Sequence, residues 1–317
     1  MVVAVTGGAG TVGSHLVDAA LREGAREVRA IDALVRGTPH NLRHALASGR
    51  ARLLTLDVRD ASACGAAIDG CDLVFHQAAL RWTRCQEAPR ECLEVMVDGT
   101  FNVVEAAAAA KVRRLVFASS AVVYGEPRRL PIGEDHPVSG GTVYGAAKIA
   151  GEELLRAFQA LRGLPYAALR YFNVYGPRMD VRSRYVEVMV RWLDLLDAGR
   201  PLTLFGDGMQ SADFVYIDDV VEANLAAVVA KDPAIVANVC TGVETRMRDL
   251  AETLLELTGS SAGLVFQPQP PGALPNRRVG DPSGAERLLG FRARTTLREG
   301  MAALIDWRSR ELAGRAA

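Results

Sequence analysis

The chain has 317 residues, 49% of them hydrophobic and 23% charged, which is ordinary globular composition with enough apolar surface for a sizeable core. Its 37 basic and 37 acidic side chains cancel, so there is no whole-body positive field to grip nucleic acid or an anionic membrane; an anionic ligand must be held by local groups. No apolar run reaches the roughly 18 residues needed to span a bilayer, and no basic leader or cleavage site precedes the first strand. Five cysteines (Cys64, Cys71, Cys85, Cys92 and Cys240) form no CxxC pair and lack the clustered histidines of a zinc site. They read as reduced, buried or incidental thiols of a cytoplasmic protein, with no metal expected.

In chain order, the candidate strand Val2–Thr6 runs into Thr6-Gly-Gly-Ala-Gly-Thr-Val-Gly13, which opens a candidate helix, Val12–Glu23. Gly7 permits the tight turn, Gly10 lets backbone approach a pyrophosphate, and Gly13 lets helix and sheet pack closely. The start of that helix, at Thr11 and Val12, presents free N–H groups to phosphate. The second strand, Glu27–Asp32, ends on an acid 25 residues after Gly7. The Asp32 carboxylate can accept hydrogen bonds from a ribose and would repel a 2′-phosphate, favouring NAD over NADP, with Arg36 nearby working slightly against that preference. Asp57-Val58, at the end of a third strand Arg52–Asp57, would sit near the adenine.

Further strands are expected at Asp72–His76, Arg114–Ala118 and Ala167–Asn173, with helices at Asp98–Ala110 and Thr142–Leu161 between them. The strands are nearly continuous apolar runs, as expected where both faces are covered. This alternation predicts an α/β fold, a Rossmann-type doubly wound parallel sheet, followed by a smaller C-terminal substrate-binding lobe. We place the NAD-binding domain at 1–173, with a segment of about 214–240 returning to it, and the lobe at 174–213 and 241–317. The run Ala106–Ala110 reads as close helix packing, and Leu312–Ala317 as a frayed tail.

Tyr144 and Lys148 are spaced i,i+4 in a helical stretch, which puts phenol and ammonium on one face, ~5–6 Å apart at Cβ. Ser120 follows the strand Arg114–Ala118, at the carboxyl end of a parallel sheet where ligands bind. Removing an alcohol proton while hydride leaves the same carbon needs a base poised near neutrality. Lowering a tyrosine from about 10 to about 7 requires roughly 4 kcal/mol of preferential phenolate stabilisation. A neighbouring Lys148 cation and a positive nicotinamide ring can provide it, while Ser120 holds the substrate oxygen.

The motifs TGGAGTVG at 6–13, Asp32, Asp57-Val58, HQAA at 76–79, SSAVVYG at 119–125, YGAAK at 144–148, YFNVYGPR at 171–178 and GDGMQ at 206–210 occur in order. In this the chain resembles the NAD-dependent epimerase/dehydratase family of extended short-chain dehydrogenases/reductases, the group containing UDP-galactose 4-epimerase, over essentially its whole length. The resemblance implies that Tyr144 is the base, that Lys148 also binds the nicotinamide ribose, and that Ser120 orients the reacting hydroxyl. It further implies that Ala78 and Arg81 lie against the cofactor, that Asn173 contacts the diphosphate of a nucleotide-diphosphate sugar, and that the enzyme is a homodimer through helices like Asp98–Ala110 and Thr142–Leu161.

Two positions, Ala212 and Met96, depart from that pattern, and one absence, at Ala121 and Val122, is informative. Where many relatives carry a phosphate-binding arginine after GDGxQ, this chain has Ala212; candidate replacements are Arg178, Arg182, Arg184, Arg277 and Arg278, of which Arg178, Arg184 and Arg278 are taken as substrate-binding. Met96 stands where relatives often have asparagine beside the cofactor. Ala121 and Val122 follow Ser120, where dehydratases and sugar-acid decarboxylases typically carry acids. The expected activity is therefore nucleotide-sugar 4-epimerisation with tightly bound NAD. Alternatives are a net NAD-dependent dehydrogenase or ketoreductase, an NDP-sugar dehydratase, or a non-catalytic redox-sensing regulator.

Overall fold

The computed structural model describes residues 1–181, 187–269 and 277–316. Its centre is a seven-stranded sheet of β1 (Val2–Thr6), β2 (Glu27–Asp32), β3 (Ala51–Thr55), β4 (Leu73–His76), β5 (Arg114–Ser120), β6 (Tyr166–Tyr171) and a last strand, Ala234–Val239. The spatial order is Ala234–Val239, β6, β5, β4, β1, β2, β3, and every pairing is parallel. β1 lies between β2 and β4, with Thr6 opposite Ile31 on one side and His76 on the other. Chain direction across the sheet reverses there, which leaves a crevice beyond the carboxyl ends of β1 and β4.

The continuous apolar character of the strands has the expected cause. β1 and β6 are buried along their whole length, because helices cover both faces of the sheet. Leu16 and Val17 of the first helix, Thr11–Arg22, join Val220 and Ala223 of helix Ile217–Val229 on one face. Val103, Val104 and Ala107 of helix Gly99–Ala109 join Leu155 of helix Val143–Arg162 on the other. Only the edge strand β3 is half-open to solvent. It also ends at Thr55, two residues before the expected limit, where Asp57 bends the chain by accepting the Arg59 N–H and guanidinium. β5 runs two residues further than expected, so Ser120 is its last residue rather than a loop residue.

After β6 the chain builds short strands around a separate core. Asn173–Tyr175 pairs with Phe214–Tyr216, Leu202–Phe205 with Leu264–Gln267, and Ser211–Ala212 lies between Thr245–Arg246 and Arg277–Arg278. Trp192, Leu202, Leu250, Leu254, Met301 and Leu304 fill that core. Helix Leu297–Ala316 runs through the expected tail as far as it is described, Ala317 lying outside the described residues, and Glu311 just before that tail meets His40. Among the described residues no helix is long and apolar enough to cross a membrane.

The thiol expectation needs one correction. Cys64, Cys71 and Cys240 are free and buried, but Cys85 and Cys92 are joined in a disulfide. Two short helices, Trp82–Glu87 and Pro89–Leu93, meet at Ala88 and fold back on each other. That corner brings the two Cα atoms within 4.9 Å. A seven-residue separation with a helix corner in the middle gives no sequence signal.

Candidate active site

The Gly-rich turn sits at the end of β1. Gly7 has φ +64°, and a Cβ there would lie 2.8 Å from Ala78 N; one on Gly13 would lie 2.0 Å from the Gly7 carbonyl. Gly10 N–H bonds the Gly7 carbonyl at 3.0 Å and Gly10 caps the first helix in an extended conformation. The turn is therefore held open for a ligand by the absence of three side chains. Gly8 is equally tight, with a Cβ position 2.7 Å from Val5 O. Asp32 accepts the Ala9 N–H at 2.9 Å and the Leu34 N–H at 2.8 Å, tying the turn to the loop that follows β2.

A cleft of about 1190 Å³ runs from this turn along the strand ends. Gly7, Gly10, Thr11, Val12, Gly13, Asp32, Asp57, Val58 and Ala78 line one arm, and Arg81, Ser120, Tyr144, Lys148, Asn173, Arg178 and Arg278 line the other. Asp57 is held by Arg59, whose guanidinium keeps its carboxyl below the usual range. Val58 is buried against Gly99. Beneath the cleft, Thr6 Oγ1 meets His76 Nδ1 at 2.6 Å, and His76 Nε2 meets Thr100 Oγ1 at 3.0 Å. Burial, with the Lys148 charge, pushes this imidazole down to about 3, so it stays neutral.

Thr142 caps helix Val143–Arg162 by accepting the Gly145 N–H at 3.0 Å, which places Tyr144 in the first turn, facing the cleft. The Ser120 hydroxyl accepts the Val122 N–H at 3.2 Å and lies close enough to the phenol to favour its ionised form. Lys148, one turn later, is almost fully buried and donates to the Ala118 carbonyl at 2.6 Å. Its Nζ lies 5.8 Å from the Tyr144 ring centre. Serine, tyrosine and lysine thus converge as their spacing requires.

The electrostatics differ from expectation in one respect. Burial raises the Tyr144 pKa, opposed by the nearby Ser120 hydroxyl and then by the charge of Arg81. Lys148 is itself pushed down to about 7 by burial, against the pull of Glu152. Arg81, a residue that the sequence tied only to the cofactor, adds a further charge that favours the phenolate. Arg81, Gln77, Trp82, Thr83 and Arg278 each bring a buried polar atom with no protein partner to this cleft. Such a set of unmet donors is what a polar ligand satisfies.

Behind Lys148 lies a network that sequence reasoning missed. Glu152 accepts two bonds from Arg170, at 2.9 and 2.6 Å, and one from the Ser119 hydroxyl at 2.5 Å. The spacing Tyr144, Lys148, Glu152 on one helical face was the available signal. Met96, within the π-turn Glu94–Asp98, lies under the site with its sulfur 3.6 and 3.7 Å from Cys85 and Cys92.

The substrate arginines separate cleanly. Arg178 bonds Asp18 of the first helix at 2.5 Å, and its carbonyl accepts from Thr11. Arg277 is paired with Glu244 on the surface. Arg182 and Arg184 lie outside the described residues. Arg278 stands directly beside Ala212 in the parallel ladder; it is buried, it lines the cleft, and burial lowers its pKa. Adjacent residues of a parallel pair share a face, so Arg278 occupies the neighbourhood from which the Ala212 position lacks a charge. Asn173 is exposed to the same arm of the cleft.

The chain was compared with known proteins. Residues 3–240 match the model of the NAD dependent epimerase/dehydratase family. The chain is 35% identical over 306 residues to a UDP-glucose 4-epimerase of Mycolicibacterium smegmatis, covering 96% of this chain and 97% of that one. The structure of UDP-glucose 4-epimerase from Thermotoga maritima with UDP-glucose superposes with a TM-score of 0.92 at 30% identity, over 98% of this chain and all of that one. UDP-glucuronic acid 4-epimerase from Bacillus cereus, with UDP-glucuronic acid and NAD, gives a TM-score of 0.90 at 29% identity, over 98% and 100%. Relatives named as a decarboxylase and as a 4,6-dehydratase match at 30% and 28% identity. The glycine turn, the Ser120–Tyr144–Lys148 set and these matches together establish this chain as an enzyme of the NAD-dependent epimerase/dehydratase family.

Proposed function

We propose that this enzyme is a nucleotide-sugar 4-epimerase, and the observation that carries the reading is the Ser120–Tyr144–Lys148 set in a cleft where Ala121 and Val122, rather than acids, follow Ser120. Ala121 and Val122 line the stretch after Ser120, so no acid is at hand there to expel water or to manage a carboxylated ring. Tyr144 takes the proton from the sugar O4 and returns it. Ser120, close to the phenol, bridges to the same oxygen and keeps it in line with Tyr144. Lys148 holds the ribose side of the cofactor and anchors the helix to β5 through Ala118. NAD⁺, which Gly7, Gly10, Gly13 and Asp32 would hold, would supply the hydride acceptor and donor for C4. Asp32, with one carboxylate oxygen bonded to Ala9 of the turn and the other to Leu34, favours a free 2′-hydroxyl.

Residues 1–173 and 214–240 carry the cofactor in this reading, and residues 174–213 and 241–317 clasp the nucleotide. Arg278 and Asn173 hold the diphosphate, Arg278 replacing the charge that Ala212 lacks. Binding through the diphosphate leaves the sugar free to turn over between the two hydride transfers. The test uses protein as purified, with no cofactor added, against a panel of nucleotide-diphosphate hexoses. Inversion at C4 by NMR with flat absorbance at 340 nm is the expected result. Conversion only with added NAD(H) and a matching absorbance change assigns a net dehydrogenase or ketoreductase instead, and loss of water assigns a dehydratase.

A further inference from the structure

Three ion pairs cross the cleft between the sheet domain and the lobe. Arg36, on the loop after β2, reaches Asp180 at 3.1 Å. On the same loop, His40 Nε2 lies 2.5 Å from Glu311 of the last helix. Arg81, after β4, pairs with Glu187 at the start of helix Val188–Asp197. All six residues line the cleft. In these three pairs the basic partner comes from the sheet side and the acidic partner from the lobe, whereas Arg178–Asp18, at 2.5 Å, joins the same two parts with the charges the other way round. The chain as a whole has balanced charge, so this sorting is local to the cleft.

The loop that bears Arg36 and His40 is also fastened at its base. Thr38 N–H and the Asn41 amide both donate to the Ala9 carbonyl, at 3.1 and 3.0 Å, and Asp32 accepts from Ala9 and Leu34. One side of the loop is thus bound to the Gly-rich turn, and the other is bound to the lobe by ion pairs. The three pairs line the same cleft as the Gly-rich turn, Asp32 and Tyr144, the groups that would hold the two ends of a dinucleotide.

We infer that Arg36–Asp180, His40–Glu311 and Arg81–Glu187 form a clasp that sets the residence time of the dinucleotide, holding it through many turnovers while sugar nucleotide exchanges from the Asn173 and Arg278 side. The inference rests on the reading above that the cofactor is retained between turnovers. The pairs are partly exposed, with side-chain accessibilities between 10% and 51%. Each is individually weak and screened by salt, so the clasp acts through the sum of three.

The experiment loads the protein with isotope-labelled NAD⁺, adds excess unlabelled NAD⁺, and follows exchange by mass spectrometry of the protein-bound fraction, with no sugar present. It compares wild type with the triple variant Asp180→Asn, Glu187→Gln, Glu311→Gln. Altering the acids leaves Arg36 and Arg81 free to meet phosphate, so faster release cannot come from a lost cofactor contact. Release ~10-fold faster in the triple variant, together with wild-type release that accelerates with salt far more than the variant's, is the expected result. Equal or slower release in the variant overturns the clasp. Should the triple variant fail to fold, the single Glu311→Gln decides the matter through the same exchange and salt comparison. If release quickens while no sugar nucleotide is ever inverted, the clasp stands and the epimerase reading falls; labelled NAD retained at an unchanged rate overturns the clasp alone.

Discussion

Burial and polarity pull on Tyr144 in opposite directions, and the outcome decides whether a phenol can act as a base. Burial raises its pKa, while the nearby Ser120 hydroxyl and Arg81 charge lower it. Tyr144→Phe removes the only proton acceptor while keeping the ring, so the rate of inversion should fall by ~10³-fold with bound NAD retained; cofactor content and turnover are measured on the same sample. Lys148 makes a different prediction, about stability in protein freed of cofactor. Its folded pKa of about 7 lies below its ordinary value of 10.5. Between those values the unfolded chain binds the proton that the folded chain has released, so stability rises with pH across that window. The contribution is complete above about 10.5 and is lost as pH falls towards 7. Urea midpoints for wild type and Lys148→Met across pH 7–10 check this, and the variant should give the flatter curve. Arg278→Ala removes a charge-assisted contact worth about 1.5–3 kcal/mol, which appears as a 10- to 150-fold rise in KM with a smaller change in kcat. An unchanged KM would remove Arg278 from the diphosphate.

Two elements carry the site, and each fails in its own way. The turn after β1 works because side chains are missing: a methyl on Gly13 would sit 2.0 Å from the Gly7 carbonyl. Gly13→Ala must move the helix off the sheet, so NAD affinity should drop at least ~10-fold and thermal stability should fall with it, both read from melting curves with and without NAD. The second element is the helix corner that follows Arg81, with Trp82 and Thr83 at its start and the Cys85–Cys92 bridge across it. Closing so short a loop limits the unfolded chain by roughly 2.5 kcal/mol. The double variant Cys85→Ala, Cys92→Ala should lower the denaturation midpoint by a corresponding amount, and added reductant should then have no further effect on it. A variant as stable as wild type in the absence of reductant would show the bridge to be energetically idle. The corner was not legible beforehand, because Cys85 and Cys92 lie on two helices whose mutual angle is set at Ala88.

At the scale of the whole molecule, two long helices on one face leave apolar groups uncovered. Phe101 of helix Gly99–Ala109 is 40% exposed, and it packs edge-on against Phe158 of helix Val143–Arg162, at 5.6 Å between ring centres. Leu161 on the latter helix is 71% exposed. Burying such a face in a second copy is favourable, and we predict a dimer of about twice the 34.0 kDa chain mass by light scattering. Phe101→Glu should yield monomer; a wild-type monomer at micromolar concentration would falsify this assembly.

Much of the molecule was determined by local order in the chain. The strand–turn–helix sequence around Gly7, Gly10 and Gly13, the acid at Asp32, and the i,i+4 pair Tyr144 and Lys148 lie within short stretches, where helical and strand periods fix which side chains share a face. The parallel, doubly wound character of the sheet followed from alternation of strand and helix, while its strand order came from the tertiary structure. The tertiary structure alone decided what came from distant segments. It set Arg278 beside Ala212 through a ladder between residues far apart in sequence. It brought Arg81 to the phenol, joined Glu152 to Arg170 and Ser119, and set Glu311 against His40. Periodicity records which way a side chain faces along its own element, whereas charge pairing and cleft electrostatics depend on how elements dock, and docking is settled by packing that no short stretch of chain encodes.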